Sequence, residues 1–443
     1  MAADSDLLVV GAGAKAAGIA TKVHAFNRLG LGPFSLKIVE GTEVAASWKG
    51  RNGMTSGEEP LAVTPIKDIG FPYQSWREFG EAGEAIDGEA MQLSWQGYMV
   101  SRRRYARWID AGSPSVRHRD YGEYLTWVLG RADEGIAHVE GRVTRVTLED
   151  DERWAVEVEE AGGGASRHTA AALVLTGPGV HRAFPHEPGI AGRVFHCDSR
   201  REEFAELPED GDCDVAIVGG GESALSCMMF LRGFRPHCRF TVYTPMLPMS
   251  RGESFLENRV FSNPDEVEWT ALDQTTRRDF VKHSDRGVFD PPSLAAIAYD
   301  DRCRFVTGRI TDVAATRKGA GVRLRHESPE GIVGPEHDYV VNCTGFDLLT
   351  QLRELFPAQT RAEIEARVGP LWDTPAGTEV PIGRHLELRG MQPRVHIPGL
   401  AGLSQGPGFA NLGALGLLSN RVLQPLLAER QPDLKMAQIS VNT

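Results

Sequence analysis

The alternation of apolar and polar positions divides the chain into strand and helix units. Four apolar residues, Leu7 to Val10, run without a polar break, as a strand buried on both faces does. They give way to Gly11, Gly13 and Ala16 at G-x-G-x-x-A spacing, then to AGIATKVHAFNRL with helical periodicity, and then to a second strand, Ser35 to Val39, that ends in Glu40. Gly11 permits a tight turn, Gly13 lets a pyrophosphate approach the backbone, and Ala16 allows close helix-on-strand packing. Glu40 is placed to accept a hydrogen bond from an adenosine ribose. The pattern predicts a βαβ unit that binds a dinucleotide.

Beyond it, Ser47 to Tyr73 has little periodicity and much Gly, Pro and charge; ordered loops of that length are uncommon unless they build a site. Gln74 to Ala90 is acidic and reads as a mobile surface excursion. SWQGYMVSRRRYARWIDAG and DYGEYLTWVLGRA read as two amphipathic helices, the second with Tyr121, Tyr124, Leu125 and Val128 on one stripe and the first carrying Arg102 to Arg104 as a solvated face. From Gly141 the period becomes two in RVTRVTLE and WAVEVEE, predicting a small antiparallel meander laid over a parallel sheet, and Ala171 to Thr176 is an apolar strand ending in TGPG. A second apolar strand ending in Thr-Gly, YVVNCTG, recurs at Tyr339 to Gly345. Between the two, CDVAIVGGGESALSCMMFLRG repeats strand, glycine turn and helix, with Gly219, Gly221 and Ala224 at the same spacing. The following strand, Arg239 to Tyr243, ends at Thr244; with no carboxylate there to repel a ribose 2′-phosphate, NADPH is permitted, and Arg251 is a phosphate partner to test.

Composition narrows the field. The chain has 443 residues, with 60 acidic and 48 basic, and its net charge of -12 argues against a nucleic-acid or anionic-membrane partner. Six cysteines show neither C-x-x-C nor metal-ligand spacing, which suggests a reduced, cytoplasmic protein without a bound metal. No leader is expected before the first strand, and no apolar run approaches the ~20 residues that span a bilayer.

Two dinucleotide units, one inserted in the other, predict an α/β fold of two Rossmann-like domains. The expected division is 1–205 for the first part of an FAD-binding domain, 206–335 for an NADPH-binding domain with a substrate segment at about 250–295, and 336–443 for the rest of the FAD domain and the end of the substrate pocket. A disulfide reductase would need a cysteine pair close in sequence, and metal reduction would need His or Cys clusters; neither is present. Dioxygen is the acceptor left, giving a monooxygenase or an NADPH oxidase.

These residues resemble the flavin-dependent N-hydroxylating monooxygenases of lysine and ornithine used in siderophore assembly, and most of all the mycobactin-type lysine N6-hydroxylases. The resemblance runs from Leu7 to about Val422, on GAGAKA, KDIGFPYQS at Lys67, SWQGYM at Ser94, GGGESA at Gly219, RGESFLENRVFSNP at Arg251, SDRGVF at Ser284, CTGF at Cys343 and LSQGPGFANLGALGLLSNRV at Leu403. It implies that Lys67 pairs with the amino-acid carboxylate and that Asn258 hydrogen-bonds the same substrate. It places Glu40, Trp48, Lys49, Val143, Gly345, Ala410, Asn411 and Leu412 with Gly11, Gly13 and Ala16 around FAD, and Gly219, Gly221, Glu222, Ser223 and Ala224 under the NADPH pyrophosphate. Three positions depart from the family: Ala62 stands where many ornithine enzymes carry glutamine, Asp285 where an asparagine faces substrate and nucleotide, and Gly413 where a serine lines the pocket. A carboxylate at 285 could hold a cation, and a glycine at 413 should leave room.

The implied reaction is N6-hydroxylation of L-lysine through a flavin hydroperoxide, with the neutral amine attacking the distal oxygen and no side chain acting as nucleophile. An alkylamine of pKa ~10.4 is about 0.1% neutral near pH 7.5, so that form costs roughly 4 kcal/mol unless burial lowers the pKa. A fixed cation such as Lys67 could anchor the far end of the substrate; the plain alternative is a surface salt bridge with Asp68. Asp285 could equally cap a helix or pair with Arg286. L-Ornithine remains a rival, since one methylene is worth only ~1–3 kcal/mol, as do cadaverine, putrescine and aspartate. A non-catalytic flavin and NADPH redox protein is the rival from another class. A homo-oligomer is left open.

Overall fold

The computed structural model describes residues 4–51, 55–149, 152–182, 184–197, 201–316, 321–328, 331–375 and 377–432. Strand β1 (Ser5–Val10), helix α1 (Ala14–Arg28) and strand β2 (Leu36–Glu40) form the first unit as the pattern predicts. Strands β3 (Ile136–Leu148), β4 (Trp154–Glu160) and β5 (Ala165–Leu175) complete its sheet. The parallel part has the order β3-β2-β1-β5, with Val9 opposite Ile38 and Val174, and Val395–His396 adds to the far side of β5. Leu7, Leu8, Val9, Ile38 and Val174 are buried in the sheet, and α1 buries Ala16, Ala17 and Ala20, whose small side chains allow close packing.

The antiparallel strands are not a separate layer over this sheet. β3 runs parallel to β2 as far as Glu140 and antiparallel to β4 from Gly141 onward, while β5 leaves β4 at Ala170 to join β1. The meander is therefore the outer halves of two long strands, β3 and β5, with β4 paired between them.

The second sheet contains β6 (Val194–His196), β7 (Cys213–Val218), β8 (Cys238–Thr244), β9 (Cys303–Thr307) and β10 (Tyr339–Asn342) in the all-parallel order β9-β8-β7-β10-β6. Helix α2 (Glu222–Phe234) follows its glycine turn. Tyr339–Asn342 thus pairs within this second sheet, so hydrogen-bonded pairing spans 194–342, wider than the expected 206–335. The two chain passes between the sheets are tied by a short antiparallel ribbon, Val180–His181 with Phe346–Asp347.

Two other expectations are corrected. Gln74 to Ala90 is not a mobile excursion: Trp76–Phe79 and Ala82–Met91 are helical, and Phe79, Ile86 and Ala90 are fully buried. Asp87 in this segment accepts from the buried Lys22 ammonium at 2.8 Å, anchoring it to α1. The stretch from Ser94 forms two helices, Trp95–Ser101 and Tyr105–Asp110, because Arg103 turns the chain through a left-handed conformation at φ 56°. Arg102, Arg103 and Arg104 are exposed, as a solvated face requires.

Three further helices shape the region between the sheets. α3 (Phe255–Ser262) opens on a capping box in which Ser254 and Glu257 satisfy each other's backbone N–H groups. α4 (Gln274–Ser284) ends at Asp285, and α5 (Leu415–Arg430) packs along α1. Among the described residues, no helix is long and apolar enough to cross a membrane.

Candidate active site

A cavity of about 380 Å³ opens at the carboxyl ends of β1, β2 and β5, where ligands bind in open α/β sheets. Gly11, Gly13, Glu40, Trp48 and Val143 line it. Gly11 sits at φ 97°, and a Cβ there would stand 2.5 Å from Thr176 Oγ1, so the turn requires glycine. A Cβ at Gly13 would meet nothing within 4 Å, leaving the start of α1 open to an anion. The Glu40 carboxylate accepts from the N–H of Ala12 at 2.8 Å and of Thr42 at 2.9 Å, which fixes it at the rim. This cradle fits the adenosine and pyrophosphate of a dinucleotide.

The other expected flavin residues fall into four places. Ala16 is fully buried under the turn, and Lys49 is turned toward Glu43 at 3.3 Å and Glu123 at 3.9 Å. Gly345, at φ 96°, precedes Phe346 of the cavity wall. Ala410, Asn411 and Leu412 lie outside that wall, just before α5; the Ala410 carbonyl accepts from Lys15 Nζ at 3.1 Å. Burial pushes the Lys15 ammonium down to about 8, with Arg286 adding to the fall and Asp285 opposing it. Sequence reasoning missed Lys15 although it stands inside GAGAKA, and missed the Thr176-Gly177-Pro178-Gly179 wall, which the sequence shows only as the end of an apolar strand.

The second turn repeats the first. Gly219 donates to the Tyr243 carbonyl at 3.0 Å, and a Cβ on it would lie 2.2 Å from the Cys343 carbonyl oxygen. Gly221 caps α2, Ala224 is buried, Ser223 is half-buried, and Gly287 packs across Gly220 and Gly221. Glu222 is held up at about 7 by burial, with Arg251 opposing the rise. The strand end at Thr244 carries no charge, and Arg251 is not beside it in hydrogen bonding: the guanidinium reaches Glu222 at 3.3 Å, Glu253 at 2.6 Å and the Ala62 carbonyl at 2.6 Å.

Lys67 and Asn258, remote in sequence, meet here. Lys67 Nζ donates to Asn258 Oδ1 at 3.0 Å and to Ser262 Oγ at 3.4 Å, and lies 5.6 Å from the centre of the Phe71 ring. Asn258 and Ser262 share one face of α3 at i, i+4 spacing, a signal that could have identified Ser262. Desolvation, then the nearby Arg251 charge, lowers the Lys67 pKa below the usual lysine range. No carboxylate among the described residues lies within 4 Å of this ammonium, so the salt bridge with Asp68 does not form. Asp68 instead points inward, accepting from Gly70 N, Tyr73 Oη and Trp95 N, and burial pushes its carboxyl up to about 6.

Asp285 accepts from Asn411 Nδ2 at 3.0 Å and pairs with Arg286 at 3.0 Å, joining the inserted unit to the segment before α5. Asn411 Oδ1 in turn accepts from Gly413 N at 2.9 Å. Gly413 does not leave room: a Cβ there would stand 2.4 Å from Phe261 Cε1, because the Phe261 ring of α3 fills the space.

The sequence model of the L-lysine 6-monooxygenase/L-ornithine 5-monooxygenase family matches residues 90–348. The chain is 35% identical over 425 residues to the L-lysine N6-monooxygenase MbtG of Mycobacterium tuberculosis, covering 94% of each. It is 34% identical to MbtG of Mycolicibacterium paratuberculosis, covering 95% of each. Among solved structures it superimposes on the lysine monooxygenase NbtG of Nocardia farcinica with a TM-score of 0.79 and 33% identity, over 94% of this chain and 98% of that one. An ornithine N-hydroxylase from Kutzneria shares the fold at TM-score 0.75 and 16% identity, over 96% and 99%.

Proposed function

The chain belongs to the L-lysine 6-monooxygenase/L-ornithine 5-monooxygenase family, and on that premise we propose that it is an FAD- and NADPH-dependent enzyme that hydroxylates the side-chain amine of free L-lysine. The observation that carries the choice of an amino acid is Lys67: a half-buried cation whose hydrogen-bond acceptors, Asn258 and Ser262, are both neutral. A partly desolvated charge without a counter-ion is costly, and the α-carboxylate of an amino acid supplies the missing anion. Cadaverine and putrescine lack that group. The relatives at 33–35% identity are named for lysine, which favours it over ornithine.

FAD would lie along the cavity held by Gly11, Gly13, Glu40, Trp48 and Val143, and the nicotinamide dinucleotide over Gly219 to Ala224. The oxygen-activating chemistry would be supplied by the bound flavin once the nicotinamide has reduced it. The chain's own part is positioning. Lys67 and Asn258 grip the carboxylate end and hold the amine at the far end in reach of oxygen transfer. The surrounding walls exclude water, so that the amine loses its proton more easily and less peroxide escapes. We assign the flavin to the unit of the first sheet and the nicotinamide to the unit of the second, and the N6-hydroxylysine product to hydroxamate siderophore assembly.

The test is hydroxylamine yield from purified, FAD-loaded protein with NADPH across lysine, ornithine, cadaverine, putrescine and aspartate, with peroxide counted in parallel. Lysine should give the highest yield and the lowest peroxide. A higher yield from a diamine would overturn the role given to Lys67, and peroxide alone from every amine would overturn the reaction.

A further inference from the structure

Arg251 stands in an acidic setting that a phosphate ligand would not choose. Its side chain is 16% exposed, and its backbone N–H donates to the Phe289 carbonyl at 2.8 Å, which stitches the residue to the segment after α4. Nε and Nη2 donate to one Glu253 oxygen at 2.9 and 2.6 Å, Nη1 reaches Glu222 at 3.3 Å, and the Asp290 carboxylate lies 3.8 Å away. The remaining reach of Nη2 is across to the first unit, where it donates to the Ala62 carbonyl at 2.6 Å.

Both ends of that grip lead to the Lys67–Asn258 pair. Ala62 lies five residues before Lys67 on the same loop. On the other side, Arg251 fixes Glu253, whose carbonyl accepts from Asn258 Nδ2 at 2.8 Å and so turns Asn258 Oδ1 toward Lys67 Nζ. We propose that Arg251 is a positioning residue for the amino-acid substrate, setting the separation and orientation of Lys67 and Asn258, and that it does not read the ribose phosphate of the nicotinamide. That the gripped molecule is an amino acid rests on the function proposed above; the grip itself does not. A guanidinium is suited to the task because its planar fork serves several acceptors at once, whereas an ammonium is a single point of charge. Charge alone has no single sign here: removing the Arg251 guanidinium would ease the charging of Lys67 but would also take a positive charge from the surroundings of the carboxylate.

Two variants of the FAD-loaded protein, Arg251→Met and Arg251→Lys, separate the alternatives. L-Lysine binding and NADP+ and NAD+ binding are measured by calorimetry, together with the L-lysine KM and kcat. Positioning predicts an L-lysine affinity and KM worsened roughly ten- to a hundred-fold in Arg251→Met, since a displacement of about 1 Å has effects of that size. Arg251→Lys should recover part of the loss, kcat should change less than KM, and the NADP+ to NAD+ affinity ratio should stay as in the parent. A ratio that collapses while L-lysine affinity holds would make Arg251 the phosphate ligand. Equal loss of both, or loss of neither, would also overturn the proposal. Should Arg251→Met fail to fold, Arg251→Lys decides by the same readouts. A parent protein that binds NADP+ but no amino acid would sink the substrate reading, while the nucleotide ratio would still decide whether Arg251 reads the phosphate.

Discussion

Lys67→Met removes the charge to which the substrate assignment is tied while keeping a flexible apolar stem of similar length. In the folded protein this ammonium faces Asn258 Oδ1 at 3.0 Å and Ser262 Oγ at 3.4 Å, and among the described residues no carboxylate lies within 4 Å, Glu253 acting on it only from farther away. Its loss therefore leaves no buried anion unpaired, and two neutral polar groups remain to meet the substrate. Truncating one member of a buried, hydrogen-bonded charge pair costs about 2–5 kcal/mol. Since Lys67 is only half-buried and, in the proposed grip, Asn258 would still hold the substrate, the lower part of that range applies: ~2–3 kcal/mol, or roughly 30- to 150-fold in kcat/KM at 1.4 kcal/mol per tenfold. The assay compares L-lysine with cadaverine, which has the same amine and no carboxylate. The parent protein should prefer L-lysine, and Lys67→Met should erase most of that preference with the NADPH KM unchanged. A preference that survives intact, or equal increases in the KM of L-lysine and NADPH, would refute the reasoning. A pH series adds a sign: Lys67 sits below its usual pKa, so L-lysine binding should weaken as alkaline pH neutralises it, and Lys67→Met should lack that weakening.

Other substitutions probe the walls of the same site. Gly413→Ala forces a Cβ to 2.4 Å from the Phe261 ring, and overpacking of this kind costs about 1–3 kcal/mol; the thermal midpoint should fall and the L-lysine KM should rise through displacement of α3, whereas unchanged values would show that Phe261 moves freely. Asp285→Asn keeps an acceptor for Asn411 but removes the charge that faces Arg286 and Lys15; amino-acid affinity or the share of NADPH lost to peroxide should change, and an unaltered profile would take Asp285 out of the site. Asp68 is pushed up to about 6 by burial, so the folded protein holds a proton there at pH values where the unfolded chain has lost it. Its contribution to stability therefore falls as pH rises from about 4 to 6, by at most about 3 kcal/mol. Asp68→Asn abolishes that gain and turns an amide toward one of the three donors, so its deficit against the parent in thermal unfolding should be larger at pH 4.5 than at pH 7; parallel curves would contradict the assignment.

The two glycine turns were legible because each combines an apolar strand, a spacing that only small residues satisfy, and a periodic helix, and because these features are local. Glu40 and Thr244 could be placed for the same reason, at the ends of recognisable strands. What was not legible depends on partners distant in sequence. The acidic surface of Gln74 to Ala90 concealed Phe79, Ile86 and Ala90, which are buried against α1. YVVNCTG shows an apolar strand without showing which sheet receives it, and hydrogen bonding to β6 and β7 decides that. Gly413 reads as space in a sequence because the Phe261 ring that fills it comes from another segment. Arg251 follows a strand that ends without a carboxylate, which suggested a phosphate ligand, whereas the fold carries the side chain toward Ala62. The pairing of Lys67 with Asn258 came from the family resemblance; no periodicity joins residues so far apart.

The central claim is that this protein transfers one atom of dioxygen to the side-chain nitrogen of L-lysine. Turnover of the FAD-loaded protein with NADPH and L-lysine under ¹⁸O₂, read by mass spectrometry of the product, tests it most directly. The account predicts N6-hydroxylysine carrying a single ¹⁸O, formed in step with NADPH oxidation. Unmodified lysine with all consumed oxygen recovered as peroxide, or a hydroxyl group placed on carbon, would contradict it.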